Sequence, residues 1–259
     1  RFFDDGISSM TADDGLPSNS IKAFYQDREH NLWIGNDGGI VQLHSSKFYS
    51  LTSDEGLIGE NVDAVLEDSR GTLWIGSEAN GLTEVRPDGT TRIYDAWTGL
   101  PGNSVDVLHE DSRGRVWVGV RYAGVCRMGN GDYHCITEDD GLPSNTIFSI
   151  HEDANGALWI GTNNGFARLH HGSITTYNRD NGFNGQYAVS ITDGPDGHLW
   201  VATLDNGLFR MNDDGSFKHF TKQNGLTSER LVTMFRDERG ALWIGTAAGG
   251  ICRFQDESI

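Results

Sequence analysis

Leu158-Trp159-Ile160-Gly161 is one of six versions of the same four-residue stretch. The others are Leu32-Trp33-Ile34-Gly35, Leu73-Trp74-Ile75-Gly76, Val116-Trp117-Val118-Gly119, Leu199-Trp200-Val201-Ala202 and Leu242-Trp243-Ile244-Gly245. Successive tryptophans lie 41, 43, 42, 41 and 43 residues apart. A period of about 40–45 residues built from strand-like segments is the mark of propeller blades.

The fourth repeat shows how each divides. Residues 146–153 (TIFSIHED) are rich in β-branched and apolar residues and stop at Ala154-Asn155-Gly156, a turn cluster, which predicts strand a. Strand b, 157–162, carries the tryptophan. Asn163-Asn164-Gly165 then turns the chain into strand c, 166–169, and His170-His171-Gly172 turns it again into strand d, 173–178. No repeat carries the apolar spacing of a helix, so almost no helix is expected.

A blade is covered on both faces by its neighbours, so its middle strands need bulky apolar residues pointing both ways. Leu-Trp-Ile supplies them, and the glycine that follows lets a neighbouring backbone approach. The ends predict closure. Arg1-Phe2 repeats the phase of Arg253-Phe254, six periods of 42 residues later, and the segment from Gly6 to Thr11 matches strand d. The sequence therefore predicts one all-β domain over 1–259: a six-bladed β-propeller of four-stranded antiparallel blades, the last closed by the amino-terminal strand.

Composition sets limits. The 34 glycines and 5 prolines fit tight turns. With 37 acidic and 20 basic residues the net charge is −17, which disfavours nucleic-acid backbones and anionic membrane surfaces as partners. No apolar run reaches the ~18–20 residues of a membrane span, and no secretion signal is read. The chain does not start with methionine, which is expected of a mature product or an excised segment. Cys126 and Cys135 fall opposite each other in the third repeat's c–d hairpin, either bridged or as two reduced thiols, and Cys252 is left over. No cofactor is expected, and no spacing resembles a metal site.

The segments Gly15-Leu16-Pro17-Ser18-Asn19, Gly99-Leu100-Pro101-Gly102-Asn103 and Gly141-Leu142-Pro143-Ser144-Asn145 each lead into strand a. An Asp-x-x-Gly-x-Leu-Trp-Ile-Gly pattern follows, complete at Asp68 to Gly76. Together they resemble the two-component regulator propeller repeat. Departures are His30 at the turn glycine, Gly194 for the aspartate and Ala202 for the glycine after Trp-Val. The resemblance implies a bacterial sensor, periplasmic or extracellular, coupled to a kinase or cyclic-dinucleotide output domain outside this chain. It also implies a ligand that is a small molecule or oligosaccharide. The immunoglobulin-like domain and membrane span usual in such receptors are not found in this sequence, so one propeller of a longer receptor is expected.

If strand a lines the axis, the d-to-a and b-to-c connections share one face, where a ligand is expected. Trp97 stands out in the first set, and Arg121 and Tyr122 in the second, with Glu78 and Asn80 one repeat earlier. Aromatic faces stack on sugar rings, while Arg, Glu and Asn bond hydroxyls. Trp97, Arg121 and Tyr122 are expected on one sector of that face. A second candidate is the channel mouth, with Lys22, Asp63, Asp106, Tyr187 and Arg230. Asp13-Asp14-Gly15, Asp54-Glu55-Gly56 and Asp139-Asp140-Gly141 read as turns, not calcium loops. The aspartates before each tryptophan, Asp27, Asp68, Asp111, Asp153 and Asp237, read as turn braces. His109-Glu110-Asp111 and His151-Glu152-Asp153 look catalytic, but they recur at one repeat phase and are read as products of duplication. No nucleophile elbow or zincin motif occurs. The expectation is a non-enzymatic recognition module, the alternative a protein-interaction scaffold, and a glycan lyase or hydrolase a distant third.

Overall fold

The fold was examined in a computed structural model, which describes residues 2–3, 6–7, 16–29, 31–44, 47–51, 57, 59, 61–129, 132–237 and 239–254. It is a six-bladed β-propeller of antiparallel blades, the first five running a-b-c-d in chain order and the sixth showing a-b-c, with three short 3-10 turns as its helical segments among the described residues. Blade 1 comprises Ile21–Gln26, Leu32–Asn36, Gly39–His44 and Lys47–Leu51. Blade 2 comprises Val62–Glu67, Leu73–Ser77, Gly81–Val85 and Thr91–Tyr94. Blade 3 comprises Val105–Glu110, Val116–Val120, Gly124–Met128 and Tyr133–Ile136. Blade 4 comprises Ile147–Glu152, Leu158–Thr162, Gly165–His170 and Ser173–Tyr177, within a residue or so of the predicted bounds. Blade 5 comprises Ala188–Asp193, Leu199–Thr203, Leu208–Met211 and Phe217–Phe220. Blade 6 has Leu231–Arg236, Leu242–Thr246 and Ile251–Phe254.

The chain packs as two compact units, Arg1–Glu110 and Asp111–Ile259. In the first, Ile40, Leu57, Val62, Leu73 and Ile75 form the core between blades 1 and 2. In the second, Trp117 packs with Ile147, Leu158 and Ile160 between blades 3 and 4. Trp159 joins Phe166, Phe183 and Phe209 between blades 4 and 5, and Trp200 joins Leu231, Leu242 and Phe254 between blades 5 and 6. Each of these three junctions of the second unit buries one indole of about 150–250 Å². The glycine after the tryptophan is needed for the reason the sequence gives: a Cβ on Gly76 would lie 2.6 Å from Val105 Cγ1, and one on Gly161 would run into the Ala188 carbonyl oxygen.

Two expectations about strands resolve differently. Cys126 and Cys135 are register partners on strands c and d of blade 3 and are disulfide-bonded, while Cys252 is a buried free thiol. Closure by the amino-terminal strand rests largely on residues outside the described ones: among the described residues Gly6–Ile7 pairs with Phe2–Phe3, and blade 6 shows three strands. Residues 8–11 of that predicted strand lie outside the described residues. On blade 6, Phe235 and Trp243 face each other in register and stay exposed, Trp243 at 39% where Trp200 is at 0%.

Candidate functional site

The d-to-a and b-to-c connections do meet at one end of the strands. The first amide of the b-to-c turn donates to a carbonyl just before strand a of its own blade, as in Glu78 N–H to Asn61 O (3.0 Å), Asn163 to Thr146 (3.2 Å), Leu204 to Tyr187 (3.1 Å) and Ala247 to Arg230 (2.9 Å). Tyr187 and Arg230, candidates for the channel mouth, thus hold this frame with their backbones.

In the first unit, Trp97 is 93% exposed on a braced connection. Asp95 accepts from the amides of Trp97 (2.9 Å) and Thr98 (2.7 Å), and the Asn103 side-chain carbonyl accepts from Ala96 N–H (2.7 Å). The Thr98 amide above all holds the Asp95 carboxyl below its usual range. An indole that ordered backbone presents to water loses little entropy when it stacks on a ligand. Glu78 is exposed and accepts from Asn61 Nδ2 at 3.4 Å, and the Asn80 side chain covers Gly59. Lys22 is paired with Asp37 at 3.4 Å. Asp63 and Asp106 are half-buried on their strands a, Asp106 accepting from Ser104 Oγ at 3.4 Å.

In the second unit, Tyr122 is 77% exposed and holds φ at 62°, a left-handed conformation costly for an aromatic residue. Its turn is pinned by Ala123 N–H to Val120 O (2.9 Å) and Gly124 N–H to Asn145 O (2.9 Å). Arg121 is half-buried in the same turn. Tyr187 is half-buried beside Phe148, ring centroids 6.4 Å apart, and Arg230 is exposed.

The acidic turns do turn chemistry where they are described. Asp140 accepts from Thr137 N–H (2.9 Å) and caps the 3-10 turn Glu138–Asp140, which ends at Gly141 with φ 108°. Asp13, Asp14, Asp54, Glu55 and the glycines after them lie outside the described residues, as does His30. The carboxylates of Asp27, Glu29 and Glu67 come within 4.8 Å of one another, and burial followed by the charges of Glu29 and Asp27 raises the Glu67 pKa. Asp27 is already occupied by Asn31 and the Trp33 indole.

The Glu and Asp of the repeated His-Glu-Asp hold turns and indoles. Glu110 accepts from Ser69 N–H (2.8 Å) and Glu152 from Ser112 N–H (2.6 Å), each clamping the turn of the preceding repeat. Asp111 and Asp153 accept from the indoles of Trp117 (2.8 Å) and Trp159 (2.9 Å), so the aspartate braces the tryptophan as well as the turn. In blade 5, where Gly194 replaces that aspartate, Asp196 takes the Trp200 indole at 2.9 Å. A Cβ at position 194 would collide with that indole.

One group was not singled out from sequence. At the opposite ends of the strands, a cavity of about 550 Å³ between blades 3 and 4 is lined by Arg113, Arg115, Arg127, His134, His170 and His171. These six arginines and histidines are scattered among carboxylates over positions 113–171, so the sequence alone gives them no signal as a group.

The segments 15–38, 56–79, 99–122 and 141–164 match the family described as Two component regulator propeller. No curated protein sequence matches the chain. Among solved structures, the extracellular domain of the putative hybrid two component system BT4673 from B. thetaiotaomicron is 22% identical over 90% of this chain and 38% of that one, with a TM-score of 0.66. That of BT3049 from the same organism is 19% identical over 97% and 42%, with a TM-score of 0.55. Virginiamycin B lyase from Staphylococcus aureus is 20% identical over 93% and 82%, with a TM-score of 0.73. At these identities the likeness is one of fold, and the chain spans about two fifths of the two receptor domains. Among the described residues no helix is long and apolar enough to cross a membrane. At the phase the tryptophans mark, four repeats of the chain match the two component regulator propeller repeat.

Proposed function

We propose that this propeller is the ligand-recognition part of an extracytoplasmic bacterial signalling receptor, binding an oligosaccharide or a related small molecule through its d-to-a and b-to-c loops. Occupancy would pass to a kinase or cyclic-dinucleotide output domain carried elsewhere. The observation that carries the reading is Trp97, almost wholly exposed on a connection whose backbone is fixed by Asp95 and Asn103. Tyr122, strained and exposed, supports it independently. The match of four repeats to the two component regulator propeller supports the sensing role, and the Cys126–Cys135 bond suits an oxidising compartment. The structural use of both His-Glu-Asp copies supports a non-enzymatic role.

A glycan-array screen followed by calorimetry tests this. A saccharide hit should lose at least tenfold in affinity in Trp97→Ala or in Tyr122→Ala, about the value of one stacked ring. Unchanged affinity in both variants removes this face from the reading. A protein-interaction scaffold is the second reading, favoured by the exposed Phe235 and Trp243 pair on blade 6. It prevails if no small ligand binds and Phe235→Ser abolishes capture of a partner from a periplasmic extract.

A further inference from the structure

We infer that the cleft between blades 3 and 4 is a second binding site, selective for small molecules that carry a phosphate or sulfate group. Its lining gathers Arg113, Arg115, Arg127, His134, His170 and His171, with Asp140 as the acidic group on its wall. The chain has 20 basic residues against 37 acidic ones, so three guanidinium groups around one cavity run against the charge of the whole.

The repeat supplies its own control. The equivalent cleft between blades 4 and 5 has nearly the same volume, about 560 Å³, so the space itself follows from blade geometry. That second cleft is lined by Asp153, Asp193 and Asp213 alongside Arg168, His198 and Arg236. There carboxylates stand among the basic groups, with His198 Nε2 3.5 Å from Asp213. The two clefts thus differ in charge at nearly equal volume, and charge is what an anionic ligand would read.

The cation is available because of a local exchange. In blades 4 and 6 the strand-c arginine opposite the tryptophan covers that indole: Arg168 lies 5.6 Å from the Trp159 ring and Arg253 5.4 Å from the Trp243 ring. In blade 5 the equivalent Arg210 donates to Asp196 at 3.0 Å. In blade 3 the place over Trp117 is taken by Arg115, at 5.6 Å, which also donates to Asp111 at 2.6 Å. Arg127 stands in register between Trp117 and His134, and among the described residues no carboxylate or ring engages its guanidinium. Across the cleft, His171 takes the first place of a two-residue hairpin turn, with φ at 50°, where Asn or Asp would fit at lower cost. A planar guanidinium fork matches the oxygens of phosphate or sulfate two at a time, and imidazoles add donors. Leu169 and Ile174, half-buried on the same wall, give the remainder of the molecule an apolar rest.

Calorimetry on the full chain at low ionic strength, with phenyl phosphate and phenyl sulfate as probes and phenol as the uncharged control, tests the assignment. Both esters should bind and phenol should not. The exposed substitutions Arg127→Gln and His134→Gln should each weaken binding about tenfold, as expected for a lost charge-assisted hydrogen bond. Arg168→Gln, in the equivalent cleft, should leave binding unchanged. Trp97→Ala should also leave it unchanged, which separates this site from the loop face. Binding of one ester alone narrows the ligand to that group and upholds the site. Failure of both esters to bind, or equal affinity in Arg127→Gln and wild-type protein with matching thermal melts, overturns it.

Discussion

One carboxylate oxygen per blade holds the repeat's tryptophan, and its loss should be felt far beyond a turn. Asp111 is the most committed example: its Oδ2 accepts from the Trp117 indole and from Arg115 Nε, and its Oδ1 accepts from the amides of Arg113 and Arg115. Burial works to raise its pKa, but the indole and the Arg115 amide and guanidinium outweigh that and hold it below the usual carboxylate range. Asp153 and Asp196 are lowered by the same balance, with burial opposing and the indole leading the hydrogen bonds. A carboxylate depressed in the folded state stabilises above its unfolded pKa of about 4, and that stability is lost as pH falls through the folded value. Acid unfolding is therefore expected below about pH 4. Asp111→Asn should cost about 1–3 kcal/mol at neutral pH, because an amide cannot accept all four bonds, and should flatten the acid limb. Urea unfolding from pH 3 to 8 measures both, and an unchanged acid limb would refute the brace. Asp-x-x-Gly before Leu-Trp was legible as a turn signal, but the bond to an indole six residues later was not. That bond depends on where a strand carries the ring, as the shift to Asp196 in blade 5 shows.

At the scale of strands, period and alternation were legible because each blade repeats one local solution. Gly161 is where two solutions touch: its missing side chain leaves room for the Ala188 carbonyl of the next strand a, which cannot swing aside as a side chain can. Gly161→Ala should cost about 1–3 kcal/mol by overpacking, read from the urea midpoint, and a neutral result would mean the blades separate more easily than their packing implies. Blade 5 tolerates Ala202 at this position, fully buried among Leu208 and Leu231, so the tolerance belongs to each junction. The c–d hairpin of blade 3 makes a further prediction. Its Cys126–Cys135 bond closes a short loop, and replacing both residues with alanine should lower stability by about 2–3 kcal/mol. Thiol titration of the denatured, unreduced protein should find Cys252 alone, and three reactive thiols would refute the bond. The sequence left that pair open because opposed positions are necessary for a bridge without being sufficient.

At the scale of the molecule, the net charge of −17 works against compaction and should make stability depend on salt in a particular direction. Carboxylates spread over the surface repel one another across about 30 Å at 10 mM salt but only about 8 Å at 150 mM. Raising sodium chloride across that range should therefore raise the melting temperature, by about 2–4 °C if screening recovers about 1 kcal/mol. The loop face was legible in part: exposed aromatics at Trp97 and Tyr122 follow from their being odd members of a repeat, and both are exposed. The cationic cleft was not, because Arg127 occurs at a position where Arg168, Arg210 and Arg253 also occur and differs from them only in what surrounds it. Salt separates the two regions. Screening that steadies the acidic body must weaken an attraction between the cleft and an anion, so ester affinity should fall over the same range in which the melting temperature rises. A melting temperature that falls with salt would mean that attractive pairs, such as Arg115 with Asp111, outweigh the excess of negative charge.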